Sequence, residues 1–240
     1  MIPKPLKLVA ALSGAVLLVG AVTGCGHPVQ ETAAHKIADV LPSVLGPAVH
    51  YDVQVDGDPF ALARGRARAV HVQGVGVQLS PSLTLDTLTA DVQDVSFDTK
   101  TRKLSHLGQT AFTGSLGQNN LSRYLAQSKS LLPGLVVTLL PDAVEAQVPV
   151  SALGLQTTAE LSGSLRPDAS DPTKLDFIAS NAQIGRVGVP ASLVNLALDT
   201  VNPLLDLSTL QAPLAVTDAK VQNRKLVLSG TADLSGLVPK

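Results

Sequence analysis

The spacing of apolar residues changes at Gly46-Pro47, and the change separates a short helical stretch from a long strand-rich one that two later helical stretches interrupt. Before it, Ile37, Val40, Leu41, Val44 and Leu45 recur at i, i+3, i+4, i+7 and i+8, with Ala33 and Ala34 one turn earlier. This spacing predicts an amphipathic helix from Glu31 onward. Pro42 lacks an amide and crowds the preceding turn, so the helix is expected to kink there or to end near Leu41.

After Gly46-Pro47 the period is two. Val53 and Val55, then Val70 and Val72, then Val75, Val77 and Leu79 alternate with polar or small residues, as half-buried strands do. The phase slips by one across Gly74, where a β-bulge is expected. Strand signals continue through Leu83, Leu85, Leu88, Val92, Val95 and Phe97, and Leu104 to Phe112 reads as the next strand. Asn119 or Asn120 is placed to cap a second helix carrying Leu121, Tyr124, Leu125, Leu131 and Leu132 on one face, with Pro133-Gly134 as its stop.

The second half repeats this order loosely, with strands near 135–150, 153–163 and 175–184, then a third helix entered at Pro190, where a missing amide costs nothing. Leu193, Val194, Leu196, Ala197, Leu198 and Val201 give that helix a wide apolar face, opposed by a stripe of Asn195, Asp199 and Asn202. A helix this apolar must be enclosed by sheet or by ligand, so Leu193, Val194, Ala197, Leu198 and Val201 are the candidate lining of a lipid groove. Two final strands, Leu214 to Val221 and Lys225 to Ala232, are joined at Gln222-Asn223-Arg224. The expected fold is α+β, an elongated and strongly curved antiparallel sheet wrapped around a few helices with an apolar groove, forming one domain over 31–240.

Composition narrows what holds such a fold together. Cys25 is the single cysteine, so no intramolecular disulfide is available. Aromatic residues are 2% and tryptophan is absent, which leaves Leu, Val and Ala to fill the interior. Charged residues are 15% against a typical value of about 25%, so some apolar surface is expected to line a groove or meet a membrane. The formal net charge of −1 argues against nucleic acid as a partner.

The N-terminal segment has the layout of an export signal. Lys4 and Lys7 precede an apolar run from Leu8 to Val22, and Val22-Thr23-Gly24-Cys25 follows. A thiol directly after the cut is what a bacterial lipoprotein signal requires, so residues 1–24 are expected to be a lipoprotein signal peptide, Cys25 the lipidation site and 25–30 a lipidated tether. A thioether-linked diacylglycerol with a palmitate-class chain on the new N-terminus exceeds the two signals that stable membrane residence needs. The expected location is outside the cytoplasm, anchored to a bacterial membrane on its periplasmic side or at the cell surface.

The segments that would carry catalysis are missing. No Gly-x-Ser-x-Gly elbow, phosphate-cradling loop, dinucleotide fingerprint or His-Glu-x-x-His pattern occurs, so neither an enzyme nor a cofactor is expected. His27, His35, His50, His71 and His106 are scattered and read as surface histidines, and Asp52, Asp56 and Asp58 lack the ligand spacing of a calcium loop, so no metal site is expected. Arg64, Arg66 and Arg68 alternate, and in a strand their guanidinium groups would share one face. They suit a lipid headgroup phosphate as planar bidentate donors, or else they keep an edge strand charged and unpaired.

Asn202-Pro203-Leu204-Leu205-Asp206-Leu207-Ser208, followed by Ala212-Pro213-Leu214 and by Lys225 to Ala232, resembles the LmeA-like family of bacterial cell-envelope phospholipid-binding proteins. Val187-Gly188-Val189-Pro190 and Leu121-Ser122-Arg123-Tyr124-Leu125 resemble that family's helix entries, and the likeness runs over about residues 47–234. It implies a fold related to the tubular lipid-binding superfamily, a long apolar groove and phospholipid as ligand. Two functions follow as expectations: a lipid-anchored envelope protein that holds phospholipid acyl chains for transport, presentation or envelope maintenance, or a structural lipoprotein that docks an envelope protein partner through apolar surface.

Overall fold

The computed structural model describes residues 27–98, 103–128, 134–152, 155–184, 187–189, 194, 198–199 and 201–234. The expected signal peptide, Cys25, Leu193, Asn195 and Ala197 lie outside the described residues.

The first helix, α1 (His27–Val44), runs through Pro42 without ending at Leu41. It stops at Gly46, whose φ of 106° is left-handed and whose Cα lies so close to β2 (Arg66–Gln78) that a Cβ there would sit 2.0 Å from the Gln78 carbonyl oxygen. Only glycine tolerates both conditions. The next carbonyl, of Pro47, accepts the Gln78 amide at 2.8 Å, so the chain leaves the helix already laid against the sheet.

The strands form two antiparallel sheets where one wrapped sheet was expected. In the first, β1 (His50–Asp56), β2, β3 (Thr84–Asp98), β5 (Thr110–Gly117), β13 (Lys225–Ala232) and β12 (Leu214–Gln222) follow in that order, with β4 (Lys103–His106) pairing β3. In the second, the order is β10 (Val187–Gly188), β9 (Lys174–Ile184), β8 (Leu155–Pro167), β7 (Ala143–Ala152) and β6 (Val136–Leu140), with β11 (Leu205–Asp206) pairing β9. The sheets meet where β12 lies against β8, and the Val216 amide donates to the Pro172 carbonyl at 2.8 Å. The last strand of the chain returns to the first sheet, which explains the split: β13 pairs β5 across more than a hundred residues, and everything between 118 and 213 must build a separate layer.

The buried side of β2 changes twice, and not at the predicted glycine. Ala67, Val70 and Val72 all pack on the α1 core, so the alternation breaks between the pairs Ala67–Val95 and Ala69–Gln93, which bracket Asp94 with its φ of 50°. Gly74 is still in phase and buried; the second break comes at Gly76, φ 63°, after which Val77 is buried and Val75 is not. The predicted strand over Leu104 to Phe112 is two strands, β4 and β5, separated at 107–109.

Two cores result. The larger takes Val77, Leu85, Phe112, Leu116 and Leu228 from the first sheet, Leu139, Val144, Leu161, Leu175 and Phe177 from the second, and Leu121, Tyr124 and Leu125 from α3 (Gln118–Ser128). The smaller lies under α1, where Leu41 meets Val53, Val55, Val70, Val72, Ala90 and Val92.

Candidate functional site

The candidate groove helix is described at Val194, Leu198, Asp199 and Val201, all helical. Val201 is 1% exposed within the larger core, while Val194 and Leu198 are half-buried against it and Asp199 is exposed. Asn202, expected as part of a polar stripe, instead clamps β9. Its Oδ1 accepts the Phe177 amide at 2.8 Å and its Nδ2 donates to the Phe177 carbonyl at 3.1 Å, as a neighbouring strand would. The Asn202-Pro203 peptide is cis, and the Leu204 amide then donates to the Leu175 carbonyl at 2.8 Å. Leu204, Leu205 and Leu207 go into the larger core, and the Asp206 amide donates to the Tyr124 hydroxyl at 3.1 Å, tying α3 to the same corner.

Beside this corner a cleft of about 270 Å³ follows the seam between the sheets. Its floor is Val144, Leu165, Val221 and Leu226, all buried, and Asp142, Lys220 and Gln222 stand among its walls. Lys220 is paired with Asp218 at 2.8 Å.

A second cleft, of about 660 Å³, opens at the other end of the first sheet and is lined by Gln30, Asp56, Asp58, Arg66, Arg68 and Asp94 among others. The three arginines do not share one strand. Arg64 is the C-cap of a short helix, α2 (Pro59–Ala63), and β2 begins at Arg66, so only Arg66 and Arg68 stand together. The helix forms because Asp58 accepts the Phe60 and Ala61 amides at 3.0 and 3.1 Å and Pro59 presets the first turn. Arg68 reaches Asp56 at 3.6 Å, whereas no ion pair among the described residues engages Arg64 or Arg66.

The LmeA-like phospholipid-binding family matches residues 29–231. The chain belongs to that family. The match takes in nearly all of α1 and ends within β13, so it spans both sheets, both clefts and the Asn202 corner. No curated protein and no solved structure matches the chain.

Within this LmeA-like chain, the stretch Asn202 to Ser208 builds architecture: the Asn202 side chain bonds the Phe177 backbone, Asp206 accepts from the Ser208 amide and hydroxyl, and the leucines go into the core. The residues that sequence reasoning passed over lie on the first sheet. His71 Nδ1 is 2.5 Å from Asp91 Oδ1, and its Nε2 is 3.6 Å from Asp56 Oδ2. The hydrogen bond to Asp91 raises the His71 pKa above the ordinary 6.5 against the opposing effect of desolvation, and the charges of Asp91 and Asp56 add to the rise. Nothing in the local sequence marks this cluster, because it exists only through the β1–β2–β3 register. At the junction with α3, burial pushes the Asp86 carboxyl up, but hydrogen bonds from Lys225, Asn120 and the Gly117 amide outweigh it and hold the group below its usual value. Among the described residues, no group of three or more His, Cys, Asp or Glu gathers as a metal site.

Proposed function

We propose that this LmeA-like protein is a non-enzymatic envelope lipoprotein, anchored through Cys25, that holds phospholipid acyl chains against apolar surface for transport, presentation or envelope maintenance. The observation that carries the lipid assignment is the family match over residues 29–231. The anchor is argued separately, from Lys4, Lys7 and the Val22 to Cys25 segment, which precede the matched region.

The acyl chains are assigned to the apolar surface at Val194 and Leu198 and to the seam floored by Val144, Leu165, Val221 and Leu226. Half-buried Val194 and Leu198 support this, since side chains that are neither covered nor fully solvated can close over a ligand at modest cost. Fully buried Val201 anchors the helix to the core beneath them. A curved, groove-forming arrangement of the two sheets around these residues completes the proposal.

The test is native mass spectrometry of residues 26–240 purified without detergent, followed by incubation with phospholipid vesicles. Retained or acquired phospholipid is the expected result. A lipid-free protein that takes up none would overturn the acyl-binding assignment and favour a lipoprotein that docks a protein partner. Ester turnover by the purified protein would overturn the non-enzymatic assignment.

A further inference from the structure

Phe60 is 76% exposed, while Phe112, Tyr124 and Phe177 are buried and Tyr51 is half-buried. In a chain with so few aromatic rings, one of them standing in solvent on a five-residue helix is an unusual placement. The rest of α2 is accounted for: Leu62 packs on the smaller core and Ala61 lines the larger cleft. Phe60 therefore points away from both, and Arg64 closes the same helix one turn later.

Asp56, Asp58 and Asp94 line the same cleft as Arg66 and Arg68, so charge of both signs surrounds it. Asp58 is occupied with the α2 amides, and Asp56 with Arg68 and His71. Arg64 and Arg66, both exposed, have no ion-pair partner among the described residues. An apolar ring beside guanidinium groups that no ion pair among the described residues engages complements a surface that is apolar beneath and anionic above, which is the layout of a bilayer interface containing acidic lipid.

The start of α1 places that interface. The Gln30 side chain donates to the Gly57 carbonyl at 3.3 Å, so α1 enters the domain beside α2. Cys25 is five residues before Gln30, and even a fully extended chain covers only about 18 Å over that distance. A lipid on Cys25 therefore holds the bilayer within reach of Phe60, Arg64 and Arg66.

We infer that the α2 end of the first sheet is a membrane-docking surface, in which Phe60 enters the interface of an anionic bilayer and Arg64 and Arg66 meet its phosphates. The inference rests on the lipoprotein reading for the tether, and it assigns those arginines to phosphates of the bilayer and not to those of a carried lipid.

Because the chain has no tryptophan, Phe60→Trp supplies a single reporter. The full chain, processed in a lipidating host and reconstituted into vesicles with brominated acyl chains, should show emission at shorter wavelength and about a twofold loss of intensity on phosphatidylglycerol vesicles. Val187→Trp, on exposed β10 of the second sheet, should show neither. Adding Arg64→Gln and Arg66→Gln to Phe60→Trp should bring the loss on phosphatidylglycerol down to that seen on phosphatidylcholine. Vesicle-bound protein whose position-60 reporter stays unquenched would overturn the docking surface and leave the anchor standing, as would equal quenching at positions 60 and 187. The mass of the N-terminal peptide reads the anchor independently: an unmodified Cys25 overturns lipidation, and quenching at position 60 then still decides docking by itself.

Discussion

The two cores differ in depth more than in composition. In the core between the sheets, Leu116, Val144, Leu175, Phe177, Leu205 and Leu226 are closed off completely, and the backbone around them is stitched across elements by Asn202, Gln118 and Tyr124. Under α1, every buried residue keeps some exposure, from Val72 at 3% to Leu41 at 9%, and the helix is tied by the Gln30 side chain near its start, by the Tyr51 hydroxyl on the Gly46 carbonyl and by the packed loop at Gly46. Aliphatic strands can thus make either a sealed interior or a shallow cover, depending on whether a second sheet or a single helix lies on top. The shallow end is also the charged end, with the arginines, Asp56, His71 and Asp91.

A pair of identical truncations is the strongest way to break this comparison. Leu205→Ala should cost about 4 kcal/mol of unfolding free energy and Leu41→Ala about 2, since the loss scales with the cavity that neighbours cannot fill. Denaturant unfolding of both variants checks it. Equal losses would mean that α1 seals its core as tightly as the second sheet seals the other.

A smaller difference is expected between the two side-chain-to-backbone ties. Asn202→Ala leaves the Phe177 amide and carbonyl without their partner inside the larger core and should cost about 1–3 kcal/mol. Gln30→Ala, at 3.3 Å and at the margin of the shallow core, should stay within about 0.5 kcal/mol. Thermal melts of the two variants decide whether the clamp or the tie matters more.

The smallest effect concerns His71. Its folded pKa lies above the ordinary 6.5, so the stability it contributes is fully present below that value and fades as pH rises through the raised one. Wild type should therefore lose a little stability between mildly acidic and mildly alkaline pH, and His71→Gln should flatten that part of the profile. Titration of the His71 ring by NMR with a midpoint at or below 6.5 would remove the Asp91 bond from the account.

Much of the fold was legible in local pattern. The β9, β12 and β13 spans agree with the predicted strands, and the turn at Gln222-Asn223-Arg224 closes through Asn223 and Arg224, both at positive φ. The α2 helix was missed although Asp58-Pro59 is a capping pair, because five residues are too few for a period to register. That miss displaced Arg64 from the strand and hid the exposure of Phe60. The break between β4 and β5 was hidden for a similar reason: β4, Lys103-Leu104-Ser105-His106, has only four residues.

By itself the sequence determined the class of the protein: antiparallel strands with a few helices between them, an aliphatic interior, and the motifs of a phospholipid-binding family. Those are properties of neighbouring residues, and a local pattern records them. What the tertiary structure decided is which residues meet. That β13 crosses back to β5 made two sheets from one run of strands; that Asn202 faces Phe177 turned a polar stripe into a clamp; and the register of β1, β2 and β3 brought His71 between two aspartates. Contacts between residues tens of positions apart are chosen by the free energy of the whole packed chain, and no segment read alone carries that information.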